Sequence, residues 1–289
     1  MTKAGAADDS DHEFLLSQRD FERLAHFVSG HTGIRLPPVK RAMVEGRLRR
    51  RVRALGFADF GAYCAYVFKE NGLAQEGEFI IDAITTNKTD FFREPDHFRF
   101  LEQMILPQLA SEGRIGFTEP FLMWSAAASI GAEAYSLAMV AAEFAQHHRG
   151  FRYSILATDV STEVLTKAAT AIFPAGMAEA VPLALRQRYM MRSRDRSLAE
   201  TRIVPELRRQ VSFARQNLND PVYAIPRPVH VAFCRNVLIY FEKQMQQAVV
   251  SRICDCLAPG GYLFLGHSET IAGFALPLRQ VAPTVFLRL

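Results

Sequence analysis

The chain has 289 residues, 49% of them hydrophobic, and a formal net charge of +4. That supplies a core for one large domain or two smaller ones, and so mild a charge does not by itself imply nucleic acid. No apolar run reaches the length of a membrane span, and the polar, acidic opening MTKAGAADDSDHE is no signal peptide, so residues 1–13 are expected to be a mobile tail. The cysteines Cys64, Cys234, Cys254 and Cys256 form no CxxC pair, and no histidine cluster has zinc-ligand spacing. The expectation is reduced thiols, no metal and a cytoplasmic protein.

Residues 14–84 read as an all-α domain. Phe14, Leu15, Phe21, Leu24, Ala25, Phe27 and Val28 recur at helical spacing until Gly30, Gly33 and Pro37-Pro38 break the pattern. A second helix starts near Val39. Val44, Leu48, Val52 and Leu55 form its apolar stripe, and Gly56 ends it. Around that stripe stand Lys40, Arg41, Arg47, Arg49, Arg50, Arg51 and Arg53 against one acid, Glu45. Such a face is either a solvated surface or a directed basic patch. Two further helices are expected over about 59–71 and 75–84. Residues 85–97 then join this domain to the next, and Asp96 begins a helix running to about Leu109.

Beyond residue 115 strand-like runs alternate with helices. The runs at 121–124, 153–157, 229–233 and 262–266 are apolar, and helices follow from Ala132, Thr162 and Lys243. This alternation predicts a doubly wound, mostly parallel sheet over residues 98–289, closed by an antiparallel strand at 283–289. Between about 179 and 216 the alternation stops. Residues 186–209 carry eight Arg and three acids, with short strand-like pieces at 202–204 and 211–214. An inserted β-subdomain is expected there.

Three places carry candidate chemistry. The first is the small-residue turn from Ser125 to Gly131, between a strand and a helix, where a ligand can approach backbone and helix N-terminus. Glu133 lies in that helix's first turn. Asp159, after the next strand, suits either a ribose or a helix N-cap. The second is Arg235-Asn236, polar residues at the end of a buried strand. Open α/β sheets bind ligands at such ends, though an Arg there also anchors loops. The third is TTNKTDFFRE, residues 85–94, which is too rich in hydrogen-bonding groups for a bland connection. It lines a cleft, or caps and staples the following helix.

Taken together and in order, TTNKTDFFRE, WSAAASIGAEAYSLAM (124–139), ATDVS (157–161), Asn217-Leu218, FCRNVLIYF (233–241) and PGGYLFLGHSE (259–269) resemble the chemotaxis-receptor methyltransferase (CheR) family. The likeness runs from residue 14 to the C-terminus and includes the basic segment VEGRLRRRVRALG. It implies an N-terminal helical receptor-docking domain, a class I methyltransferase domain and a small inserted β-subdomain. The implied activity is transfer of a methyl group from S-adenosyl-L-methionine to glutamate carboxylates on chemoreceptor cytoplasmic helices. Asn87, Thr89, Arg93, Glu133, Asp159, Asn217, Leu218, Arg235 and Asn236 would contact the cofactor. Arg235, Tyr240 and Arg93 would serve the transfer, and Arg47, Arg49, Arg50 and Arg53 would dock the receptor. The protein would act as a monomer, without nucleic acid or membrane insertion. Two departures stand out. The family's GEEPY is Gly131-Ala132-Glu133-Ala134-Tyr135 here, preceded by Ile130 where the family has Thr, and the insert's hairpin (193–200) lacks glycine. The first motivates an alternative, a cofactor-binding adaptor without turnover. The second bears on whether a receptor C-terminal peptide binds the insert.

Overall fold

A computed structural model describes residues 14–85, 87–111, 115–195, 197–226 and 228–289; the tail expected over 1–13 lies outside these residues. The chain divides into two compact units with the break after residue 86.

The first unit is helical. Helix α1 (Gln18–Thr32) starts where the Ser17 hydroxyl accepts the Asp20 N–H and stops at Gly33, whose φ of 75° is left-handed. Helix α2 (Arg41–Ala54) follows a 3₁₀ turn at Pro38–Lys40 and buries Val44, Leu48 and Val52. Helix α3 (Phe60–Lys69) is capped by Asp59, and α4 (Leu73–Ile84) completes the unit. Phe21, Leu24, Phe60, Tyr63 and Ile80 fill the core with the α2 stripe. One charge is buried with them: Glu76 accepts from Arg51 Nη2 at 2.6 Å and Nε at 3.0 Å, and from the Tyr63 hydroxyl at 3.1 Å. The bidentate geometry and third donor satisfy a carboxylate that would otherwise be costly to bury.

The second unit opens with α5 (Pro95–Phe100) and α6 (Leu106–Ser111), joined by a π-helical turn at Leu101–Ile105. The sequence reads as one helix here. Pro107 has no N–H to donate and crowds the carbonyl one turn back, and the wider turn relieves that clash. The remaining elements are β1 (Phe121–Ala126), α7 (Ala132–His147), β2 (Tyr153–Asp159), α8 (Thr162–Thr170), β3 (Ile172–Pro174), α9 (Leu183–Tyr189), β4 (Met190–Arg192), β5 (Glu200–Ile203), α10 (Pro205–Arg208), β6 (Val211–Arg215), β7 (Val229–Cys234), α11 (Lys243–Cys256), β8 (Leu257–Leu265), β9 (Leu278–Ala282) and β10 (Val285–Arg288).

The main sheet has the order β6-β2-β1-β7-β8-β10-β9. Strands β6 to β8 are parallel, and β10 runs antiparallel to β8 and β9. Central β1 and β7 are buried almost throughout. Helix α7 is buried over its first ten residues, and its small side chains let it lie close on the sheet. The chain reverses its direction of sheet growth at β1, which leaves a crevice at the carboxyl ends of β1 and β7.

The small sheet β3-β5-β4 corrects the expected limits of the insert. It begins at Ile172, before residue 179, and its last strand ends at Ile203. The run at 211–214, expected inside the insert, is β6, the edge of the main sheet, paired with β2 from Ile155↔Val211 to Asp159↔Arg215. An edge strand exposes alternate residues as a hairpin strand does, so its pattern does not reveal a parallel partner some fifty-six residues earlier.

Candidate functional site

The turn after β1 is held in an uncommon backbone shape. Ala127, Ser129 and Gly131 have φ of 59°, 52° and 86°. A Cβ on Gly131 would meet Ala168 Cβ at 2.9 Å, so glycine is required both by φ and by the approach of α8. The turn presents Ser129 to two partners: its N–H donates to Asp159 Oδ2 at 2.8 Å, and its hydroxyl to the Asn87 carbonyl at 2.8 Å. Asp159 Oδ1 accepts the Ser161 N–H at 3.0 Å, so backbone donors orient both oxygens of this buried carboxylate. Ser161, not Asp159, caps α8 through its hydroxyl. Glu133 stands in the first turn of α7, with Oε1 accepting from Ser125 at 2.7 Å.

Arg235 ties the site together. It emerges at the end of β7 with its side chain 2% exposed. Nε donates to Glu133 Oε2 at 2.8 Å, Nη2 to the Arg93 carbonyl at 2.7 Å, and Nη1 to His97 Nδ1 at 2.8 Å and Glu94 Oε2 at 3.4 Å. Four of its five N–H groups thus have acceptors in the protein. Phe98 and Phe233 lie beneath the guanidinium at 5.4 and 5.3 Å. Burial lifts the Glu94 carboxyl, but Arg235 and the donors from His267 and Asn236 outweigh it and hold it below its usual range. Burial, then Arg235, pushes His97 down to about 4. Glu94, His97 and His267 crowd together like ligands around a cation. A guanidinium nitrogen already lies against two of them.

Asn236 is held from the other side. Glu269 accepts the backbone N–H groups of Gly266, Asn236, Val237 and Leu238 at 2.6 to 2.9 Å. This fixes Asn236 at a φ of 58°, where Asn is tolerated better than most residues, and its amide reaches Glu94 Oε1 at 3.2 Å. A Cβ on Gly266 would meet Asn236 N and Glu269 Oε2 at 2.9 Å each, so a glycine must close this loop. Five left-handed non-glycine residues, Phe92, Glu94, Ala127, Ser129 and Asn236, surround the site. Strain of this kind persists where neighbours over-determine it and concentrates at functional sites.

The structure gathers expected site residues into two hydrogen-bonded clusters, Asn87 with Asp159 through Ser129, and Arg93, Glu133 and Asn236 with Arg235, the last through Glu94. Arg93 contributes its carbonyl, while its side chain turns back to the Lys88 carbonyl at 3.4 Å. Asn217 and Leu218 are buried just beyond β6, and the Leu218 carbonyl accepts from Tyr223 and Arg252. Thr89 is half-buried in the segment before α5, and Tyr240 half-buried in a 3₁₀ turn after β7. In the helical unit, Arg47 differs from expectation: its Nη1 donates to the Ile84 and Thr85 carbonyls at 2.6 and 2.8 Å, capping the end of α4. Arg49 pairs with Glu45 at 2.5 Å, Arg53 lies over the Phe14 ring, and Arg50 and Arg53 are exposed. The roles of Glu94, His97, Ser129 and Glu269 do not emerge from the sequence. Glu94 and Glu269 fall inside the motifs that carry the resemblance, but their partners lie up to 173 residues away.

Two family models match the chain: the CheR methyltransferase all-alpha domain over residues 19–85, and the CheR methyltransferase SAM binding domain over residues 87–286. The chemotaxis protein methyltransferase of Salmonella typhimurium strain LT2 is 38% identical, covering 94% of this chain and 90% of its own. That of Escherichia coli strain K12 is 39% identical, covering 89% and 86%. Chemotaxis protein methyltransferase 2 of Pseudomonas aeruginosa is 34% identical, covering 96% and 95%.

Proposed function

The chain belongs to the CheR methyltransferase family, and on that premise we propose that it methylates glutamate side chains on the cytoplasmic helices of chemoreceptors. It is an S-adenosylmethionine-dependent methyltransferase of chemotaxis, with a class I methyltransferase fold in its second unit. No helix among the described residues is long and apolar enough to cross a membrane.

The observation that carries the reading is the pair of buried carboxylates, Asp159 and Glu133, gathered near the carboxyl ends of β2 and β1 beside the strained turn. This donor set fits the cofactor. Asp159 is the carboxylate we assign to the ribose hydroxyls, and Glu133 sets a negative charge near a sulfonium. The family resemblance adds Asn87, Thr89, Asn217, Leu218 and Asn236 as further cofactor contacts. Bound S-adenosylmethionine supplies an electrophilic methyl group.

An unperturbed glutamate side chain has a pKa of about 4.3 and is ionised at neutral pH, so the acceptor needs no general base from the protein. The protein's residues align the reactants and exclude water. Tyr240, half-buried in the 3₁₀ turn after β7, is the residue that the family resemblance assigns to the transfer. Arg235, buried and already engaged, supports a positioning role more than direct contact with the reacting atoms. It holds Glu133 and Glu94 apart and fixed. Arg49, Arg50 and Arg53 on α2 offer the basic face for an acidic receptor helix.

The test is incubation with radiolabelled S-adenosylmethionine and receptor cytoplasmic domains. Base-labile methyl esters are expected, and they should vanish when the receiving glutamates become alanine. Label that survives those substitutions would refute the glutamate assignment, and cofactor binding without label across a receptor panel would refute catalysis.

A further inference from the structure

His97 has no part in the methyl transfer as described, yet its ring is locked from every side. Its side chain is 3% exposed. Nδ1 lies 2.8 Å from Arg235 Nη1, and Nε2 lies 2.9 Å from the Thr284 hydroxyl in the β9–β10 turn. A guanidinium can only donate, so Nδ1 must accept and carries no proton. The proton of the neutral ring therefore sits on Nε2, facing Thr284. Phe233, Phe264 and His267 meet the ring edge-on at 6.4, 5.4 and 5.0 Å and fix its plane. The charged or titratable groups facing it are Arg235 from the end of β7, Glu94 from the segment before α5, and His267 after β8.

Arg235 is pulled by two carboxylates in different directions, Glu133 at Nε and Glu94 at Nη1. The Glu94 contact is the longer at 3.4 Å, and His97 fills the gap with a short bond. A neutral acceptor there aims the guanidinium without adding charge. Without it, Nη1 would close on Glu94 and draw Nε away from Glu133. We propose that His97, as its Nε2–H tautomer, is a positioning residue that sets the plane of Arg235 and through it the carboxylate of Glu133. The link to Glu133 rests on the cofactor role proposed for that residue.

Two variants and one spectrum test this. Asn at position 97 can place an amide oxygen near the site of Nδ1, whereas Phe fills the space without an acceptor. His97→Phe should weaken S-adenosylmethionine binding, measured by calorimetry in the absence of receptor, by about tenfold or more, as for a lost hydrogen bond to a charged group. His97→Asn should restore it to within about threefold, with both variants melting close together. Equal losses in the two, or undiminished binding in His97→Phe, would overturn the proposal. Ring ¹⁵N spectra of the unaltered protein decide the matter even if His97→Phe does not fold. A neutral Nε2–H ring that does not titrate between about pH 6 and 7.5, the range in which a free histidine does, is expected. An Nδ1–H ring, or titration in that window, would refute it. Should Glu133→Gln bind the probe normally while the spectrum holds, the cofactor role of Glu133 fails and the placement of His97 stands.

Discussion

Asp159 receives the backbone N–H groups of Ser129 and Ser161 at the carboxyl end of β2, so its charge and its orientation are separable by mutation. Asp159→Asn keeps the shape but puts an N–H₂ where Ser129 or Ser161 donates. Cofactor affinity should fall by about 1–3 kcal/mol, the range for hydrogen bonds to charged groups, read by calorimetry. Unchanged affinity would remove Asp159 from the cofactor site. His97 and Glu94 make a second prediction, about acid. The folded pKa of His97, about 4, lies below the ordinary histidine value of 6.5. The unfolded chain therefore takes up the proton first as pH falls. Stability is full above the unfolded value and declines through this window by up to about 1.4 kcal/mol per pH unit. Glu94, also held below its usual value, extends the loss in the same direction at lower pH. Urea denaturation from about pH 7 to 4 should show the decline, and His97→Phe should flatten it. Equal slopes in the two proteins would contradict the assigned shift.

At the scale of elements, the turn between β1 and α7 shows what is legible in the sequence and what is not. An apolar run, small residues and an amphipathic run announce strand, turn and helix, because burial and period are local properties of the chain. The left-handed backbone at Phe92, Asn236 and the turn after β1 is not local in origin, since its restraints come from Ser136, Glu269 and the Thr158 carbonyl on other elements. The same limit explains β6, whose alternation is visible and whose partner is not, and the π-turn before α6, where Pro107 signals a disturbance but not its form. Gly131 joins both kinds of information: the sequence marks a turn, and the structure adds α8 packed against it. Gly131→Ala should lose about 1–2 kcal/mol from the left-handed backbone alone, and more from the clash with Ala168. Denaturation would measure the loss. A variant as stable as the parent would mean that the turn relaxes freely, and the case for a preformed crevice would weaken with it.

Over the whole molecule, charge is unevenly spread although the net value is small. Residues 1–80 hold twelve Lys and Arg against eleven acids, yet α2 alone carries Arg41, Arg47, Arg49, Arg50, Arg51 and Arg53 with one Glu. Not all of that charge is available to a partner. Arg47 caps α4 and Arg51 holds the buried Glu76, so both are committed to the fold of the helical unit. Arg50 and Arg53 remain exposed, with Arg49 partly so beside Glu45. A basic sequence is thus sorted by the structure into internal anchors and an outward face. Reversing the outward set, Arg49→Glu with Arg50→Glu and Arg53→Glu, should raise the KM for receptor and leave cofactor affinity alone. Reversing an anchor should instead lower the stability of the helical unit. The receptor KM of the unaltered protein should also rise with salt, because exposed charges are screened beyond a Debye length of about 8 Å at physiological ionic strength. The triple variant should lose most of that salt dependence. If its KM matches the parent's at low salt, the receptor docks elsewhere. If its cofactor affinity falls instead, the charge on α2 serves the methyl donor and not the acceptor.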